Sequence, residues 1–138
     1  MIQLFWSVAL LSALFFSVGS AQAESDATKA LQAELTQFRR TGPYAEVEAA
    51  CHGFAKKFPD AVRCFSFGQT SEGRDMLALA VSHSGVLNPE QARRAGVPVV
   101  LAIGGTHSGE IDGKDAGLML MRDLLADEPV WEKLRRFM

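Results

Sequence analysis

The sequence predicts an α/β fold: the opening part of a mixed, mostly buried sheet with helices on both faces, incomplete within this chain. Three observations lead there. Two stretches of helical apolar spacing precede two alternating stretches joined by a short turn, the pattern of an antiparallel hairpin. The unbroken apolar run "VPVVLAIGG" then reads as a strand covered on both faces, which marks an open α/β sheet. A last helical pattern follows it at once, so the order is ααβββα.

Residues 1–23 stand apart from the rest. They hold no charged side chain, Leu4 to Val18 is almost wholly apolar, and Ala21-Gln22-Ala23 is a small-x-small cleavage pattern before Glu24. This is the composition of a secretory signal peptide, although the amino terminus is the only positive group ahead of the apolar run. The run is short for a membrane span of about 20 residues. The expectation is export to the periplasm or medium, with no membrane attachment after cleavage.

Residues 24–42 form a helical lead-in. Ala27, Leu31, Leu35 and Phe38 recur at helical intervals, Ser25 or Asp26 can cap the start, and Thr41-Gly42-Pro43 ends it. A second helix in "YAEVEAACHGFAKKF" places Val47, Ala50, Cys51 and Phe54 on one side. Lys56 and Lys57 sit in its last turn, where cations suit the helix dipole. "AVRCFSFG" and "MLALAVS" alternate as strands about the turn "QTSEGRD", where Glu72 and Arg74 are expected to stabilise the reversal. Asn88-Pro89 lies in a polar loop. The last helix is expected from about 114 to 125, burying Ala116, Leu120, Met121 and Leu124, with the methionines as core filler. Asp112 and Asp115 would charge or cap its amino end.

Composition is that of one globular unit: 138 residues, 48% hydrophobic, net charge -2. Basic and acidic residues are dispersed, so no nucleic-acid surface is indicated. Cys51 and Cys64 are the only cysteines. In an oxidising compartment they can bridge the second helix to the strand after it; otherwise they are small apolar core residues. His52 and His83 read as surface residues. Oligomeric state is not legible.

The candidate chemistry lies in "GGTHSGE", at the carboxyl end of the apolar run, where open α/β sheets keep their sites. Gly104 and Gly105 leave room for close backbone approach, and His107 and Glu110 offer an imidazole nitrogen and a carboxylate oxygen three residues apart. Zn²⁺ accepts both ligand types, and a catalytic zinc takes three protein ligands and one water. An H-x-x-E pair arises by chance too readily to stand alone, and a polar strand-to-helix turn explains it equally well.

"FSFGQTSEGRDMLALAVS" followed by "VPVVLAIGGTHSGEIDGKDAGLMLMRDLL" resembles the amino-terminal part of the catalytic domain of zinc carboxypeptidases of the carboxypeptidase A and B type. The matching residues are Gly68, Ser71, Glu72, Gly73 and Arg74, then Gly104, Gly105, His107 and Glu110. The helix "AEVEAACHGFAKKFPD" is similar to the family's opening helix, so the likeness covers about residues 43–126. Gly109 departs from the Arg that pancreatic-type members carry inside H-x-x-E.

The resemblance implies an α/β/α zinc-carboxypeptidase fold over 43–138, present in truncated form. It implies His107 and Glu110 as two of three protein ligands to one Zn²⁺, with Gly104, Gly105, Glu72 and Arg74 as structural support. It implies a peptide or protein carboxyl terminus as substrate, cut by zinc-activated water. The family's third ligand, its general-base Glu and its carboxylate-binding arginines fall far downstream, so no catalytic residue is expected within this chain and the chain alone is expected to be inactive. Three alternatives stay open: an inactive remnant, an exported non-catalytic module in which "GGTHSGE" only turns strand into helix, and an H-x-x-E zinc acylase or amidase, against which the "SEGRDM" block speaks.

Overall fold

The computed structural model describes residues 30–107 and 109–126, so the leader at 1–23 and Ala27 of the expected first helix lie outside the described residues. The element order is α1 (Gln32–Leu35), α2 (Tyr44–Lys57), β1 (Val62–Gln69), β2 (Asp75–Val81), α3 (Pro89–Ala95) and α4 (Ile111–Ala126). The α/β class stands, with the β1–β2 hairpin as the sheet of the described residues.

The lead-in is helical for a single turn. Thr36 donates its hydroxyl to the Gln32 carbonyl at 2.8 Å and accepts from the Arg40 amide at 3.1 Å, closing a local turn that competes with a further helical turn. Gln37 and Phe38 then take left-handed φ values of 53° and 60°. Leu31 is buried as expected, but Leu35 and Phe38, expected on the same stripe, are 66% and 71% exposed.

Helix α2 follows its predicted pattern, with Ala50, Cys51 and Phe54 buried and Lys56 and Lys57 in the last turn. The hairpin pairs Val62 with Val81 and Ser66 with Leu77; a bulge at Phe67 then shifts the register so that Gly68 faces Met76. Thr70 accepts and donates across the turn, its N–H reaching the Arg74 carbonyl at 2.8 Å. Arg74 and Glu72 do pair there at 3.1 Å, but with side chains 60% and 69% exposed. Such a pair contributes no more than about 1 kcal/mol.

Cys51 and Cys64 form a disulfide with a Cα–Cα distance of 5.4 Å, which settles the choice left open between bridge and free thiols. It joins α2 to β1 across 13 residues. A loop of that size is worth roughly 3 kcal/mol in the chain-entropy account. The core beside it comprises Leu31, Ala50, Phe54, Val62 and Leu118, with Leu79, Val81, Met119 and Met121 packed around them.

Three further expectations are corrected. The segment holding Asn88-Pro89 is not a loop but the start of α3, where the Asn88 side chain accepts from the Gln91 amide at 2.9 Å, Pro89 occupies the first turn and Gly96 ends the helix in the left-handed region. The run "VPVVLAIGG" is not a buried strand: Val99, Val100, Leu101 and Ile103 are 72–81% exposed, and no strand among the described residues pairs with it. Finally, α4 begins at Ile111 rather than near 114, and buries Asp115, Leu118 and Leu124. Leu124 was expected, but Ala116 and Leu120 face solvent, because α4 meets the core along the Asp115–Leu118–Met119 side.

Candidate metal centre

The loop between the apolar run and α4 is set by its glycines. A Cβ on Gly104 would lie 2.6 Å from the carbonyl carbon and oxygen of Gly113, so the two backbones touch. Gly105, with φ +69°, turns the chain away, in a region that β-carbon sterics disfavour for other residues. Gly109 has φ +91°, again in the backbone region that favours glycine.

His107 and Glu110 face each other across this turn. His107 Nδ1 lies 2.8 Å from Glu110 Oε1, and the His107 amide donates to Glu110 Oε2 at 3.1 Å. The Glu110 amide in turn donates to the His107 carbonyl at 3.2 Å. Glu110 immediately precedes α4, where the positive end of the helix dipole favours a carboxylate. Both side chains are open to solvent, at 78% and 57% exposure.

This pair fits a zinc ion in donor chemistry and in proximity. Two ligands of a tetrahedral zinc site stand about 3.3 Å apart, from metal–ligand distances near 2.0–2.1 Å. The observed 2.8 Å contact therefore needs to open by only about half an ångström, well within the rotamer freedom of two exposed side chains. Among the described residues, no group of three or more His, Cys, Asp or Glu comes together to hold a metal. The chain thus brings two donors to one point and no described third.

The remaining sequence candidates sit elsewhere. His52 and His83 are exposed and join no metal-binding group among the described residues. Glu72 and Arg74 stay at the hairpin turn as support for that turn. Asp112 charges the first turn of α4 as expected. Asp115 does not cap it: its carboxylate is buried and contacts Lys114 Nζ at 2.5 Å.

Sequence reasoning missed the residues behind the loop. Lys114 Nζ donates to the Gly42 carbonyl at 3.2 Å and lies 3.7 Å from Glu46 Oε2, while Glu46 Oε1 accepts from the Gln32 amide at 2.6 Å. Glu46 is 9% exposed and Asp115 6%. Only one local signal was available: Gly113 in the first turn of a helix has no propensity to justify it and marks a close backbone approach.

The zinc carboxypeptidase family model matches residues 47–137, from the first turn of α2 through the His107–Glu110 loop and α4. No curated protein and no solved structure matches the chain. The match spans well over half of the sequence and includes both the hairpin turn and the His107–Glu110 loop, so the chain belongs to the zinc carboxypeptidase family.

Proposed function

We propose that His107 and Glu110 are two of the protein ligands of a catalytic zinc in an exported metallocarboxypeptidase that acts on peptide carboxyl termini. The observation that carries this reading is the 2.8 Å approach of the His107 imidazole to the Glu110 carboxylate on an open loop, in a chain of this family. Zinc at this point would lower the pKa of a coordinated water and polarise a scissile carbonyl. The chain's own contribution is to hold the two donors: the Gly104–Gly113 contact seats the loop on α4, and the backbone bonds between His107 and Glu110 fix their relative orientation.

With two donors among the described residues where a catalytic zinc takes three, zinc binding by this chain is expected to be weak, and peptidase turnover by it to be absent. Isothermal titration of the chain with zinc, beside H107A and E110Q, is the direct check. Loss of binding in both variants supports the assignment. Binding unchanged in either variant, or turnover that survives both, would overturn it.

Export is the second part of the reading. The Cys51–Cys64 bridge belongs to an oxidising compartment, in keeping with the apolar leader. The exported protein is expected to begin at Glu24. A mass spectrum of the mature amino-terminal peptide tests this, and an intact leader on the exported protein would count against it.

A further inference from the structure

We propose that Lys114 is a positioning residue for the two metal donors, an inference that rests on the zinc reading above. Both ends of the donor loop lean on one short stretch of α4. At the entry, Gly104 lies against Gly113, close enough that a Cβ on Gly104 would also stand 3.0 Å from the Lys114 amide. At the exit, Glu110 leads directly into the first turn, one turn ahead of Lys114. Whatever holds residues 113 and 114 in place therefore sets where His107 and Glu110 stand relative to each other.

Lys114 is held from three sides. Its ammonium lies 2.5 Å from Asp115 Oδ1 and 3.7 Å from Glu46 Oε2, and it donates to the Gly42 carbonyl at 3.2 Å. Asp115 Oδ1 and Glu46 Oε2 are buried and accept no hydrogen bond from any other group, so the ammonium is their electrostatic compensation. Glu46 is itself fixed: Oε1 takes the Gln32 amide, and its carboxylate lies so near Gly42 that a Cβ there would stand 1.7 Å from Oε2. The lead-in, α2 and α4 thus converge on one nitrogen. A surface lysine would serve equally well if α4 needed only solubility. A lysine 20% exposed, with two buried carboxylates around it, serves instead to fix the helix in register.

The test uses the full chain with zinc alone as probe. Supporting groups behind metal ligands typically change affinity by about 10–100-fold when removed. K114M is expected to weaken zinc binding about tenfold, and K114R to restore it to within about threefold of the unsubstituted chain. K114M leaves two buried carboxylates without a counterion and can fail to fold. The neutral triple variant E46Q/K114M/D115N removes that difficulty and is expected to show the same weakening at an unchanged melting temperature.

The second readout needs no metal: nitrogen-15 correlation spectra of the His107 imidazole report the Nδ1 contact with Glu110. That signal is expected to shift in K114M and in the triple variant, and to return in K114R. Unchanged zinc affinity together with an unchanged imidazole signal in a folded K114M or triple variant would sink the proposal. If the unsubstituted chain binds no zinc, the metal reading fails by itself, and the imidazole signal alone decides whether Lys114 positions the pair.

Discussion

A methyl group on Gly104 would lie 2.6 Å from the carbonyl carbon and oxygen of Gly113, and neither is the end of a flexible side chain. Relief requires the donor loop or the first turn of α4 to move. G104A is therefore expected to destabilise the chain by about 1–3 kcal/mol, the range for forced overpacking. Gly117 is the natural comparison, because it lies inside the same helix with nothing within 4 Å of its would-be Cβ. G117A is expected to stabilise by about 0.5–1 kcal/mol through helix propensity alone. Paired thermal melts check both, and a G104A melt that rises with G117A would show that the backbones do not touch. At this scale the sequence was informative about residues whose meaning is local. His107, Glu110, Gly104 and Gly105 fall within seven positions of one another, and one turn of chain relates them. Glu46 and Lys114 were illegible for the opposite reason: their contact joins α2 to α4 across 68 residues, and no spacing rule reaches that far.

Among the elements, α2 and the hairpin were legible because their own periodicity decides them. Phe54 and Ala50 repeat at four residues on a helix, and Val62 and Cys64 alternate on a strand beside an EGR turn. The misread elements fail for two distinct reasons. Helix α3 carried every local signal of a helix, namely the Asn88 cap, Pro89 in the first turn, Gln91 three residues after the cap and Gly96 at the end. The tripeptide around Pro89 resembles a turn just as well, and the helix is only seven residues long, with Ala92 as its single buried residue. The run Val97 to Ile103 fails in another way. Its composition is that of a central strand, yet a strand exists only where a neighbour supplies the hydrogen-bond ladder. Among the described residues β1 and β2 pair with each other and none pairs with this run. The apolar side chains there, 72–81% exposed at four positions, state what the segment would bury against and leave the partner unstated. Apolar composition is thus a statement about destination, and hydrogen bonding alone makes it a strand.

In the molecule as a whole, polar and covalent cross-links hold the described elements beyond their apolar packing, among them the disulfide between α2 and β1 and an ion pair between the lead-in and α4. In the second, Arg122 donates from Nη1 and Nη2 to Glu34 Oε2 and Oε1 at 2.6 and 2.9 Å, a two-pronged geometry across 88 residues of sequence. Glu34 Oε2 also takes the Leu31 amide at 2.9 Å. The Arg122 hydrogen bond holds the Glu34 carboxyl below its ordinary range, against the smaller opposing effect of burial. A carboxyl whose folded-state pKa is depressed contributes stability that is fully present above its unfolded value, about 4.3, and is lost as pH falls through the folded value. With side chains 19% and 26% exposed, solvent screening keeps the contribution to no more than about 1 kcal/mol. E34Q is therefore expected to lie below the unsubstituted chain in melting temperature at neutral pH, and the two curves to converge on acidification below about pH 4. Added salt should narrow the neutral gap only slightly, because a partly buried pair is screened less than a surface one. A gap between the two proteins that stays constant from neutral to acid pH would assign the stabilisation to packing of the side chains and not to their charges.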